Sequence, residues 1–251
     1  EINKVNLEFE ASVSGGIPVI KTIKEGLATN QIKKVFGILN GTTNYILTEM
    51  ENSNKNFDEV LKKAQKLGYA EPRNPKLDLN GFDALAKVKI LSALSFNNKI
   101  SKIKSIMEGI EKIELKDIKI ANQLNLRIKL LGISEIIENQ LFEAVHPCLV
   151  NKKSYIGQVN GVMNAVILQS SPVGETILQG EGAGPGPTTS ALVSDLCSVM
   201  KGNIKFPFVV PHKKRKHISF ETIRNKRFSV YLRLDVIDQH GVLSNITKVM
   251  S

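Results

Sequence analysis

A chain of 251 residues is long enough for one large domain or two small ones, and 42% hydrophobic with 23% charged residues places it outside the compositions that stay disordered. No apolar run approaches a membrane span, no signal peptide opens the chain, and Cys148 and Cys197 lie far apart without a C-x-x-C partner, so a reduced, cytoplasmic protein is expected. The net charge of +10 raises nucleic-acid binding, but seven Lys or Arg against Glu221 alone crowd between Pro211 and Arg227 without an interleaved aromatic platform; this reads as a local solvated linker.

From the N-terminus, Val5, Leu7, Phe9, Ala11 and Val13 alternate with polar residues and predict a half-buried strand. Ser14-Gly15-Gly16 turns the backbone, and Pro18 suits the first turn of a helix reaching about Leu27. Glycines at such a turn either let an ion or ligand approach main-chain atoms or simply make the turn tight. Val35 to Leu39 read as a short buried strand leading through Asn40-Gly41-Thr42-Thr43-Asn44 to a helix from Tyr45 to about Glu51. N–H groups at that helix start attract carboxylate or phosphate, and Thr42 adds a hydroxyl. Phe57 to Leu67 is an amphipathic helix with Asn56 as its cap and Gly68 as its stop.

The stretch from Gly68 to Phe96 carries the chemistry. Glu71, Pro72, Pro75, Asp78, Asn80 and Gly81 predict a tight polar loop, and an apolar, buried helix capped by Asn80 follows to Phe96. Inside that helix Asp83 and Lys87 stand four residues apart, about 40° from one another on the wheel and on the same stripe as Ile90, Leu91 and Leu94. A surface pair is the plain reading; on an apolar stripe, desolvation and the neighbouring carboxylate compete over the ammonium, which suits proton exchange near neutrality.

Beyond a basic connector from Asn97 to Lys104, Met107 to Ile113, Arg127 to Ile137 and Gln140 to Val145 read as strands, with a short helix near Ile118 to Gln123 and a further element over Val159 to Leu168. Short turns between strands suggest a mixed, partly antiparallel sheet covered by helices. His146-Pro147 reads as a satisfied polar group, and His146, His212, His217 and His240 show no zinc-ligand spacing, so no transition metal is implied. Gly180, Gly182, Gly184 and Gly186 alternate ahead of an apolar helix to about Met200; bare backbone entering a helix suits a phosphate, although neither a Walker motif nor a G-x-G-x-x-G opening is present. Val230, Leu232, Leu234 and Val236 alternate as a strand, and Asp238-Gln239-His240-Gly241 leads into a nascent helix.

Glu71-Pro72, Asp78-Leu79-Asn80-Gly81-Phe82-Asp83 and Lys87 closely resemble the active-site segment of homoserine dehydrogenases. The resemblance extends, in the family's order, to FEASVSGGIPVIKTIKEGL from Phe9, GILNGTTNYIL from Gly37, LGYAEP from Leu67 and GEGAGPGPTTSALVSDL from Gly180. It implies an α+β catalytic domain like that of glyceraldehyde-3-phosphate dehydrogenase over residues 1–205, and NAD- or NADP-dependent interconversion of L-homoserine and L-aspartate 4-semialdehyde. By the same resemblance Lys87 is the acid–base, Asp83 orients it, and Glu71, Asp78 and Asp83 face the substrate ammonium, with Thr42, Gly41 and Tyr69 beside them. Gly184, Glu71 and Thr42 would border the cofactor. The turn at Glu10, Val13, Gly15 and Ile17 would hold a monovalent cation, sodium or potassium, through main-chain oxygens. A homodimer or higher oligomer is implied. After a basic linker at 206–228, residues 229–251 resemble the start of an ACT domain, a module that binds an amino-acid effector, with His240 where proline is usual. No dinucleotide fingerprint occurs, so the Rossmann domain and a second, cofactor-side lysine are expected upstream. The competing expectation is an amino-acid-binding regulatory or assembly module without turnover.

Overall fold

The structure, a computed structural model, describes residues 5–100, 105–202, 206–219, 228–237 and 239–250. Its centre is the pair with the longest alternation: β3 (Leu126–Ile137) and β4 (Gln140–Asn151) run antiparallel from Leu126 opposite Asn151 to Ile137 opposite Gln140. Glu138 and Asn139, at φ 48° and 65°, form the left-handed turn whose twist matches a two-residue hairpin. β1 (Gln31–Ile38) lies against the other edge of β3, β5 (Met163–Ser171) against β1, and β6 (Gly174–Glu181) against β5, all antiparallel. β2 (Ile106–Met107) joins β4 in parallel, giving one mixed sheet in the order β2-β4-β3-β1-β5-β6. This is the expected architecture.

Helices gather on one face of the sheet. α5 (Phe82–Phe96) lies across β1, β3 and β4, α6 (Leu115–Gln123) on β3, and α2 (Gly41–Ser53) on β3 and β5. The strand period of two and the helix period near 3.6 meet in one cluster, where Ile128, Leu130 and Val145 pack with Ala84, Val88, Leu91 and Leu94. Gly132 permits the closest approach, since a Cβ there would stand 2.5 Å from Val88 Cγ2 and 2.8 Å from Leu39 Cδ1. On the opposite face Ile38, Leu131, Ala165 and Ile167 pack with Ile156 and Val159 around a 3-10 turn. The remaining helices are α1 (Val19–Lys21), which continues as a π turn, α3 (Phe57–Lys66), α4 (Lys76–Leu79), α7 (Pro185–Met200) and α8 (Val242–Met250).

The N-terminal alternation is not a strand. Residues 5–9 are irregular and Glu10–Ser12 form a 3-10 turn, because the buried Glu10 carboxylate turns inward to accept the N–H groups of Ile20 (2.7 Å) and Lys21 (2.8 Å). Alternation makes a strand only where a neighbour offers a ladder. The strand expected from Met107 to Ile113 ends at Met107, where the chain folds back and Ile110 N–H donates to Leu79 O at 2.9 Å. β4, by contrast, continues past Val145 through Pro147; β2 has ended by then, so the missing N–H faces an open edge. The element begun at Val159 becomes β5, starting at Met163.

The alternation at Val230 to Val236 also lacks a ladder, and residues 228–237 form no strand. Its polar side chains bind α6 instead: Tyr231 Oη donates to Asp117 Oδ1 at 2.8 Å, and Arg233 Nη2 pairs with Glu114 Oε1 at 2.7 Å. Residues 101–104 of the basic connector and 220–227 of the basic run lie outside the described residues. The described part of that run is laid against the body of the fold, with Lys99 N–H donating to Lys216 O at 2.9 Å and Leu141 N–H to Ser219 O at 2.8 Å.

Candidate active site

α2 begins at Gly41 rather than Tyr45 because Asn40 caps it. The Asn40 backbone is extended, and its Oδ1 accepts the Thr43 N–H at 2.9 Å. The donor side of the same amide reaches two acids: Asn40 Nδ2 donates to Asp78 Oδ1 at 2.9 Å and to Asp83 Oδ2 at 3.0 Å. Asp78 comes from the single turn of α4 and Asp83 from the first turn of α5. Between them Gly81, at φ 86°, is the N-cap, while Asn80 acts from one residue further out by accepting the Phe82 N–H at 3.0 Å.

One turn along α5, Lys87 Nζ donates to Asp83 Oδ2 at 2.8 Å and to Leu39 O at 2.9 Å. Two of the three donors of an ammonium are thereby engaged, and one remains for a ligand. The side chains of Lys87 and Asp83 are 18% and 34% exposed, so a ligand can reach a pair whose positions are fixed from beneath. Burial pushes the Asp78 carboxyl up, the charges of Asp83 and Glu71 push the same way, and Asn40 and Lys87 oppose them. The cluster can move a proton at Lys87 and attract a cationic group to its carboxylates.

The other expected site residues surround this cluster at different distances. Thr42 Oγ1 donates to Tyr69 O at 2.5 Å, tying the start of α2 to the loop before α4, and the Tyr69 ring sits 4.9 Å from that of Tyr45. Glu71 is on the exposed rim, with Gln65 Nε2 donating to its carbonyl at 3.2 Å. Gly41 lies hard against the turn before β5, where a Cβ would stand 2.6 Å from Val162 O. Asn164, 1% exposed, bridges from there to the glycine-rich stretch, packing between Gly41 and Gly182. Gly184 stands at the far end of these contacts as the N-cap of α7, at φ 113°. The Ser14–Gly16 turn joins the same stretch through Gly16 N–H to Glu181 O at 3.1 Å. Within that turn Glu10 O accepts from Val13 N–H at 3.3 Å and Ile17 O from Val19 N–H at 2.7 Å, while the Ser14 hydroxyl is buried with no partner among the described residues. His146 is on the opposite sheet face, with Nδ1 3.1 Å from Pro147 O and 3.3 Å from Cys148 Sγ.

Sequence reasoning singled out Asp83 and Lys87 but missed Asn40. The residue stands in the polar run ahead of the expected helix start, and nothing local shows that its amide holds two carboxylates together.

Fold and site together define a lysine–carboxylate cluster set on a mixed, helix-covered sheet. The sequence model of the homoserine dehydrogenase family matches residues 18–197. The homoserine dehydrogenase of Neisseria gonorrhoeae is 40% identical over 257 aligned positions, covering 100% of this chain and 59% of that protein. The crystal structure of a homoserine dehydrogenase from Thiobacillus denitrificans superposes with a TM-score of 0.79 at 39% identity, over 96% of this chain and 57% of that one. A hyperthermophilic archaeal homoserine dehydrogenase mutant in complex with NADPH matches at a TM-score of 0.66 and 27% identity, over 79% of this chain and 56% of that one. The chain belongs to the homoserine dehydrogenase family, and it spans somewhat under three fifths of these relatives' length.

Proposed function

We propose that the protein carrying this chain interconverts L-homoserine and L-aspartate 4-semialdehyde with NAD or NADP, residues 1–205 supplying the substrate side of the site. The observation that carries the reading is the hydrogen-bonded series Lys87–Asp83–Asn40–Asp78, a proton-exchanging group beside paired carboxylates. In the oxidising direction a neutral Lys87 takes the hydroxyl proton of homoserine as the carbon bearing that hydroxyl loses hydride; in the reducing direction its ammonium returns the proton to the new alkoxide. Asp83 orients Lys87 through the 2.8 Å hydrogen bond between them. Asp78, Asp83 and Glu71 draw in the substrate ammonium, while Gly41, Thr42 and Tyr69 line the adjoining wall. The nicotinamide cofactor, bordered by Gly184, Glu71 and Thr42, supplies the hydride acceptor or donor when bound. The NADPH of the archaeal relative supports this reading of the cofactor.

The turn at Glu10, Val13, Gly15 and Ile17 would hold a monovalent cation through main-chain oxygens and so brace the glycine-rich stretch; the unpartnered buried hydroxyl of Ser14 supports a polar occupant. Residues 206–228 would act as a linker and 229–251 as the opening of an ACT-type module for an amino-acid effector, in a cytoplasmic homodimer or higher oligomer. No described helix is long and apolar enough to cross a membrane.

The test is Lys87→Ala in full-length protein. Turnover should fall by about a hundredfold or more, close to 2.7 kcal/mol of barrier, with the melting temperature nearly unchanged. Near-normal turnover would refute Lys87 as the acid–base.

A further inference from the structure

Lys129 is a buried ammonium that this chemistry does not use. It lies on β3, is 1% exposed, and among the described residues donates only to neutral oxygens: Val159 O at 2.5 Å, Asn44 Oδ1 at 3.0 Å and Asn160 Oδ1 at 3.4 Å. Burial pushes it down to about 8, with the Arg127 charge adding to the effect and Glu51 opposing it. Glu51 is itself paired with Arg127 at 3.1 Å, and the Cys148 thiol opposite Lys129 in the ladder is pushed up to about 12 by burial, so among the described residues no free carboxylate or thiolate faces the ammonium.

Its acceptors lead to the site. The turn at 159–163 meets one face of α2 at three successive levels, the spacing at which helix residues share a face. Gly41 abuts Val162 O, Asn44 Nδ2 donates to Val159 O at 3.2 Å and Met163 O at 3.1 Å, and Thr48 Oγ1 accepts the Gly161 N–H at 3.3 Å. Lys129 grips both partners of the central level, the Asn44 amide and the Val159 carbonyl. An apolar side chain of equal size would leave Asn44 Oδ1 buried without its donor and Val159 O held by the Asn44 amide alone of these two groups. Immediately ahead of Gly41 stands Asn40.

We propose that Lys129 is a positioning residue for the reaction at Lys87: by clamping Asn44 to the 159–163 turn it fixes the first turn of α2, and with it the Asn40 amide that holds Asp78 and Asp83 together. It touches neither substrate nor cofactor. The proposal rests on the homoserine dehydrogenase reading.

The experiment compares Lys129→Met with wild type in full-length protein, with active enzyme titrated so that folding losses are separated from KM. The homoserine KM should rise about tenfold while the cofactor KM stays within about twofold. Hydrogen exchange at amides 41–47 should quicken about tenfold, with that of α5 unchanged. A lysine that only stabilises the fold would lower the melting temperature and the active fraction and leave KM and the α2 exchange pattern at wild-type values; that result overturns the proposal. Asn160→Ala removes one surface-side contact and should shift both readings the same way by about two- to threefold. If Lys129→Met does not fold, wild-type values in Asn160→Ala overturn the proposal instead. A wild-type protein that does not turn over homoserine would refute the reaction assignment, and the exchange measurement would still decide the clamp.

Discussion

Helices α5 and α7 draw on much the same apolar side chains and stand in opposite surroundings. In α5, Ala84, Val88, Leu91, Ala93 and Leu94 are 1–2% exposed beneath or beside the sheet. In α7 only Ala191 is buried among the described residues, while Leu192, Val193 and Leu196 are 62%, 48% and 57% exposed. Each starts at a glycine of positive φ, Gly81 at 86° and Gly184 at 113°. A helix that is apolar all round states a need for neighbours without saying where they are. α5 finds them in β1, β3 and β4, and the Asp83–Lys87 pair sits on the helix that is seated. Holding Lys87 within 2.8 Å of Asp83 requires a backbone that does not move, and the packed sheet provides it.

The largest effect that separates the two helices concerns packing. Leu91→Ala, at a fully covered position of α5, should destabilise residues 1–251 by about 2–5 kcal/mol in a denaturant titration, because the transfer energy is lost and a cavity remains. A loss below about 1 kcal/mol would mean that α5 is less firmly seated than its burial implies.

A smaller effect is expected at the start of α7. Gly184 is exposed and the nearest atom to an added Cβ is Pro187 Cδ at 3.7 Å, so bulk there meets open space rather than the fold. Gly184→Val in full-length protein should raise the KM for NAD(P)H about tenfold while that for aspartate semialdehyde changes by less than about twofold. Any side chain is strained at φ 113°, so Gly184→Ala serves as the control: it carries the backbone cost with little of the bulk. Equal effects of Ala and Val, or equal shifts in both KM values, would make Gly184 a structural glycine only.

What could be read from the sequence follows the same division between local and long-range causes. Asp83 and Lys87 were legible because they lie on one helix, where spacing fixes geometry. The sheet was legible wherever a strand's alternation met a partner, as in β3 and β4. The alternations at Val5 to Val13 and Val230 to Val236 are equally clear, yet no ladder neighbour meets them among the described residues, and a period of two cannot reveal that. Asn40 was legible only as the start of the polar run after β1, neither as a cap nor as a bridge, and the acids it joins lie 38 and 43 positions away. Lys129 looks like a solvent-facing interruption of an apolar strand. Its burial depends on a turn thirty residues further on, at Val159.

The smallest effect gives the sharpest check on the comparison, because it predicts almost nothing. Leu196 is as apolar as Leu91 and occupies the middle of a helix of similar character, so composition alone assigns the two residues the same worth. Their surroundings do not. Leu192 and Leu196 stand four residues apart on one face of α7, both more than half exposed, and neither has a core to leave. Leu196→Lys in residues 1–251 removes little buried contact and keeps a good helix former, so its cost should lie within about 0.5 kcal/mol. The same denaturant titration that reads Leu91→Ala measures it, and the two values should differ severalfold. A loss above about 1 kcal/mol for Leu196→Lys would show that α7 is covered in solution. The contrast with α5 would then be one of partner rather than of burial.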